Sequence, residues 1–78
     1  MVNPKDILNQ LKWKDDCDIN KAEIWYVHRG APNNTKIITG KEILDLQKSF
    51  MKTVSAMIPY HRIFIIKYED KIIFKRKN

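Results

Sequence analysis

Seventy-eight residues with a formal net charge of +6 suffice for one small domain around a single core, and exclude a catalytic domain joined to a regulatory one. At 44% apolar and 31% charged, the composition is that of a folded protein rather than a disordered tail. The longest apolar runs, IWYV and IFII, are far short of the roughly 20 residues that a membrane span needs.

MVNPKDILNQ lacks the basic-then-apolar pattern of a signal peptide, and the single cysteine, Cys17, has no internal partner for a disulfide. Both features predict a cytoplasmic protein. The basic balance predicts an anionic partner, nucleic acid being the commonest, although a lysine-rich surface also serves plain solubility.

The first segment reads as a helix. Asn3 can cap it, Pro4 suits its first position, Asp6 suits its first turn, and Ile7, Leu8 and Leu11 form an apolar stripe. The polar stretch KDDCDINK, residues 14–21, ends it. AEIWYVHR, residues 22–29, is β-branched and aromatic and reads as a strand, with Ile24, Tyr26 and His28 on one face and Trp25, Val27 and Arg29 on the other. GAPNNT is a loop and KIIT a short strand.

Thr39 and Glu42 have the spacing of a capping box, which predicts a second helix with Ile43, Leu46 and Phe50 on one face. That helix has no clear stop, and a short strand near Lys52–Val54 is the alternative for its end. YHRIFIIKY and KIIFKRK, separated by Glu69-Asp70, read as a hairpin. Apolar side chains on both faces of Ile63–Ile66 predict a central strand. The expected fold is α+β in a single domain spanning 1–78: two helices on a mainly antiparallel sheet, in the order α-β-β-α-β-β.

The chain has two histidines, and each is followed at once by an arginine: His28-Arg29 and His61-Arg62. Only three arginines stand against twelve lysines. Lysine suffices for general basicity, whereas the planar guanidinium fork matches phosphate oxygens in defined geometry. Neighbours on a strand point to opposite faces, so each pair can converge on one ligand only where its strand ends or bends. Gly30 and Pro59 supply such devices, and the second strand is expected to begin at Pro59. Trp25, Tyr26 and Tyr60 are candidates for stacking a base. The competing reading makes the histidines hydrogen-bonded structural residues and the aromatics core.

No metal site is expected. Asp15, Asp16 and Asp18 lack the spacing of a calcium loop, zinc would want more cysteine or histidine, and a solvated loop suits them better. No cofactor motif is present. The tail Lys75-Arg76-Lys77 is expected to attract RNA backbone.

HRGAP at 28–32, TGKEI at 39–43 and IPYHRI at 58–63, with LKW at 11–13, resemble the RNA cyclic-group end recognition domain family over about Leu8 to Arg76. The resemblance implies binding of RNA 3′ ends bearing a 2′,3′-cyclic phosphate, alongside RNA-processing proteins. It carries the phosphate-binding role onto His28, Arg29, His61 and Arg62, with Arg76 as a further basic position; Lys36 and Lys41 are auxiliary cations by charge. Two features depart from the family's pattern. Asn33 or Asn34 stands where an acidic residue is frequent, and Glu69-Asp70-Lys71 replaces an Asp-Gly turn.

Two alternatives accompany the binding module. One is a small phosphodiesterase using His28 and His61 as acid and base, although the His-x-Thr/Ser repeats of two-histidine phosphoesterases are absent. The other is a structural domain in which the His-Arg pairs brace the sheet. All three readings leave the oligomeric state and the RNA bound open.

Overall fold

The computed structural model describes residues 3–14 and 16–76 of the chain. Asp15 of the acidic stretch and Lys77 of the basic tail lie outside the described residues. Among the described residues one α-helix, α1 (Pro4–Trp13), precedes seven strands: β1 (Ala22–Val27), β2 (Thr35–Thr39), β3 (Ile43–Leu46), β4 (Phe50–Thr53), β5 (Met57–Pro59), β6 (Ile63–Tyr68) and β7 (Lys71–Lys75). They form two antiparallel sheets, one ordered β2-β1-β6-β7 and one ordered β3-β4-β5.

Helix α1 forms for the reasons its sequence carries. The Asn3 side chain accepts the Asp6 backbone N–H at 2.9 Å, Pro4 occupies the first turn, and Ile7, Leu8 and Leu11 are buried. That stripe joins one core with the inner face of the larger sheet and with Met51, Ile58 and Tyr60. On β1 the alternation is clean: Ala22, Ile24 and Tyr26 face inward. Ile38 of β2 and Ile66 of β6 lie on either side of Ile24 and are buried with it. Strand β6 runs between β1 and β7, the central place expected of its two apolar faces. The β6–β7 turn puts Glu69 and Asp70 at φ 49° and 68°, positive at both central residues of a two-residue hairpin.

The second helix does not exist. The capping box forms, with Glu42 Oε2 accepting the Thr39 N–H at 3.1 Å, but it opens a single 3₁₀ turn, Gly40–Glu42. Ile43–Leu46 then pairs with Phe50–Thr53, so the fold is mostly β rather than two helices packed on a sheet. A capping box satisfies the first orphan N–H groups of any helical turn and carries no information about length. Beyond it, cross-strand pairing overrides a three-residue apolar spacing. Strand β6 also starts later than expected: Pro59 closes β5, a 3₁₀ turn covers Tyr60–Arg62, and β6 begins at Ile63. Among the described residues no helix is long and apolar enough to cross a membrane.

Two features make the fold testable. Gly40 is buried against the 3₁₀ turn Ile19–Lys21, and a Cβ there would lie 1.7 Å from the Ile19 carbonyl oxygen. The obstacle is backbone, so Gly40→Ala must separate the two turns, at a cost near the top of the ~1–3 kcal/mol range for overpacking. A urea midpoint equal to that of the parent chain would refute this packing. The second feature is Tyr60, a core residue whose hydroxyl donates to the Gln47 carbonyl at 2.6 Å. Burial, and then the Asp45 charge, raise its pKa above the usual value. The folded state thus holds the phenolic proton longer than the unfolded state. Its contribution is complete below about pH 10 and declines as pH rises beyond that. Tyr60→Phe should be less stable by about 1 kcal/mol at neutral pH, with the gap narrowing above pH 10 in chemical denaturation.

Candidate functional site

Pairing register decides where the His-Arg pairs lie. Strands β1 and β6 are antiparallel, and Tyr26 lies opposite Ile63. The residues that follow Tyr26 and those that precede Ile63 therefore emerge at the same end of the sheet. His28 and Arg29 come from one strand end, His61 and Arg62 from the turn that leads into the other. The neighbouring strands add to this end. Lys36 of β2 lies opposite Tyr26, and the Arg76 backbone N–H donates to the Phe64 carbonyl at 2.8 Å. All three arginines of the chain thus emerge at one edge.

The loop after β1 is pinned by its own backbone. His28 N–H donates to the Asn34 carbonyl at 2.8 Å, Asn34 N–H to the Ala31 carbonyl at 2.8 Å, and Ala31 N–H to the His28 carbonyl at 3.2 Å. The loop passes through left-handed backbone at Gly30 (φ 92°), Asn33 (φ 56°) and Asn34 (φ 52°). Glycine is free there, and asparagine is among the few other residues that visit the region. The loop and the start of β2 enclose an open groove of about 510 Å³, lined by His28, Arg29, Ala31, Pro32, Lys36 and Ile37 among others.

A second, narrower pocket of about 170 Å³ lies beside it. Its walls are Tyr26, His28 and Arg62 together with the stretch Ala56–Pro59. That wall is set by a turn in which Thr53 Oγ1 donates to the Ala56 carbonyl at 2.7 Å and accepts the Ala56 N–H at 3.0 Å. The turn carrying Arg62 is fixed in three ways. Tyr60 N–H donates to the Ser49 carbonyl at 3.3 Å, the Tyr60 hydroxyl donates to Gln47, and the Arg76 guanidinium donates to the His61 carbonyl. His28 lines both compartments, with Arg29 in the wider one and Arg62 in the narrower.

The remaining sequence candidates disperse. His61 is exposed at this end, but its side chain lines neither compartment. Lys41 sits in the turn after β2, at the opposite end of the sheet. Trp25 is on the outer face of the sheet, its ring nitrogen donating to Glu23 at 3.1 Å and Lys67 lying 4.7 Å above the ring. Tyr60 is in the core. Tyr26 is buried with its ring edge-on to His28, centroids 6.1 Å apart, and shows no open face for stacking. Burial, with a smaller effect from the Glu42 charge, raises the Tyr26 pKa and keeps the phenol protonated. Among the described residues no three His, Cys, Asp or Glu side chains lie close enough to hold a metal ion.

Sequence reasoning did not identify the groove floor (Ala31, Pro32, Ile37) or the pocket wall (Ala56, Met57, Ile58). The wall depends on β5, a three-residue strand whose only local signal is Pro59.

Residues 1–76 match the MJ1316 RNA cyclic group end recognition domain family. A UPF0248 protein of Methanococcus vannielii is 38% identical over 92% of this chain and 89% of its own length. The UPF0248 protein MJ1316 of Methanocaldococcus jannaschii is 33% identical over 94% of this chain and 92% of its own. A UPF0248 protein of Archaeoglobus fulgidus is 29% identical over 88% and 99%. No solved structure matches the chain.

Proposed function

Because the chain belongs to the MJ1316 RNA cyclic group end recognition domain family, we propose that it binds phosphorylated RNA 3′ ends, above all 2′,3′-cyclic phosphates, where His28, Arg29 and Arg62 meet. One observation carries the reading: His28 is shared by two adjoining compartments, and each has its own arginine. Guanidinium forks supply charge-assisted hydrogen bonds to phosphate oxygens, and the imidazole adds a donor.

The compartments differ in size in a way that suits a nucleotide end. The narrow pocket is below the roughly 300–1,000 Å³ of sites that enclose a whole small molecule, and it takes a single group such as a phosphate. The wider groove falls within that range, and its Ala31, Pro32 and Ile37 surface takes the terminal nucleoside. Lys36 borders the groove and draws in the backbone. His61 acts only from the rim, and acid–base chemistry by two histidines would require both imidazoles on the phosphate. A cytoplasmic setting fits this reading, since Cys17 is a free thiol, and RNA-processing proteins are the natural company of such a module.

A six-nucleotide RNA ending in a 2′,3′-cyclic phosphate should bind more tightly than the same RNA ending in hydroxyls, with affinity falling steeply as salt rises. Arg62→Ala and Arg29→Ala should each cost about tenfold or more on the cyclic end, the range of a lost charge-assisted hydrogen bond, while weaker general RNA binding persists. Fluorescence anisotropy across salt concentrations measures both effects. Equal affinity for the two ends would end the proposal. Release of a monophosphate from the cyclic end, abolished in His28→Ala and His61→Ala, would replace binding with catalysis.

A further inference from the structure

The chain has three tyrosines, and two have hydroxyls already engaged. Tyr60 donates to the Gln47 carbonyl, and the Tyr68 oxygen accepts the Asp18 backbone N–H at 2.8 Å. Tyr26 is different. Its side chain is only 3% exposed, yet its hydroxyl makes no hydrogen bond to any described residue. A phenol sealed in the core without a partner would be costly, and no fully buried polar atom among the described residues lacks a partner. The hydroxyl therefore keeps some access to solvent, and Tyr26 lines the 170 Å³ pocket together with His28 and Arg62.

Tyr26 reaches that position through the sheet. It is the last inward residue of β1, and the β1–β6 register shifts between Trp25 and Tyr26, so that Tyr26 lies opposite Ile63, one residue after Arg62. A buried ring is rigid, so a hydroxyl opening on that pocket would have little side-chain entropy left to lose on binding.

We propose that the Tyr26 hydroxyl is the floor donor of the narrow pocket, giving its proton in a hydrogen bond to a non-bridging oxygen of the terminal phosphate that Arg62 and His28 hold from the sides. The assignment rests on the reading of the site as an RNA-end site and adds a residue to it. The role is binding and specificity rather than chemistry. A neutral donor adds direction without charge, so it favours an oxygen placed at the floor over phosphates sliding along a basic surface. Elevation of the phenol's pKa by burial keeps that proton in place throughout the physiological range.

Tyr26→Phe in the full chain isolates the hydroxyl, and the probes are the cyclic-phosphate and hydroxyl-ended six-nucleotide RNAs. Affinity for the cyclic end should fall about tenfold, as expected for one hydrogen bond to a charged acceptor. Affinity for the hydroxyl end should not change. The slope of log affinity against log salt should also hold, because no cation is removed; Arg62→Ala should lower it by about one. The variant should melt at or above the parent temperature, since the lost hydroxyl has no internal partner. A lower melting temperature would reveal such a partner and overturn the assignment. Unchanged cyclic-end affinity in Tyr26→Phe would overturn it too, while leaving the parent chain's end preference intact. If the parent chain shows no end preference, the RNA-end reading falls and Tyr26 falls with it. In the parent chain, the ¹³Cζ resonance of Tyr26 should shift on adding the cyclic-ended RNA, and its failure to move at saturation would be decisive against the contact.

Discussion

The antiparallel register of β1 against β6 is the constraint on which everything at the site depends. Ile24 opposite Ile66 and Tyr26 opposite Ile63 are buried pairs, so the register is held by the core itself. A slip of one residue would turn Ala22, Ile24 and Tyr26 to the outside and destroy that core. The same slip would carry His28 away from Arg62. Stability and site geometry are therefore tied to one set of contacts, and residues more than thirty positions apart meet with no dedicated contact between them. In so small a domain, whose stability margin is narrow, building the site on the ends of core strands leaves the core composition untouched.

Arginine and lysine divide their labour by position. The three arginines emerge at one end of the four-stranded sheet, whereas lysines are scattered over both ends and both faces. Arg76 shows that the division is not simply one of ligand contact. Its guanidinium donates to the His61 carbonyl and lies 5.9 Å from the Phe74 ring, which braces the turn that presents Arg62. A lysine there would keep the charge but lose the planar fork that both hydrogen-bonds and packs on a ring. The scattered lysines supply a broad positive field, of the kind that speeds encounter with any polyanion without choosing its end.

Much of the fold was legible where local and tertiary preferences agree. The Asn3 cap, the Ile7–Leu11 stripe, the β1 alternation and the Ile-rich hairpin all fold as their patterns suggest. The failure falls on 39–59, where Thr39, Glu42, Ile43 and Leu46 present a helix start and an apolar spacing. Residues 39–59 instead make one 3₁₀ turn and the three strands of a small sheet, with β4 overlapping the short strand expected as the alternative near Lys52–Val54. No single-residue signal there separates the alternatives, because β3 and β4 are four residues each and β5 three, and they gain stability only by pairing, with β4 in the middle, and by covering the core. The candidate site was legible in its cations and not in its shape. His-Arg repetition marks His28, Arg29 and Arg62 but also His61, which lines neither compartment, and the compartments arise from the Ala31–Pro32 loop and the Ala56–Pro59 wall, whose residues carry no chemical signature. The aromatic candidates were separated by strand parity and burial: Trp25 faces outward, Tyr60 is in the core, and only Tyr26 remains at the site.

The loop between β1 and β2 takes its shape on backbone grounds. Asn33 and Asn34 both hold positive φ in the loop that positions His28 and Arg29. Asparagine tolerates that conformation as aspartate does, so the loop needs no carboxylate to keep its shape. Asparagine also adds no negative charge beside a groove that Arg29 and Lys36 make positive. With the loop closed by three backbone hydrogen bonds and the Arg62 turn fixed by Ser49, Gln47 and Arg76, both arms of the candidate site are held by contacts of the domain itself. A ligand held there would cost mainly the freedom of two arginine side chains and a histidine, rather than that of two loops.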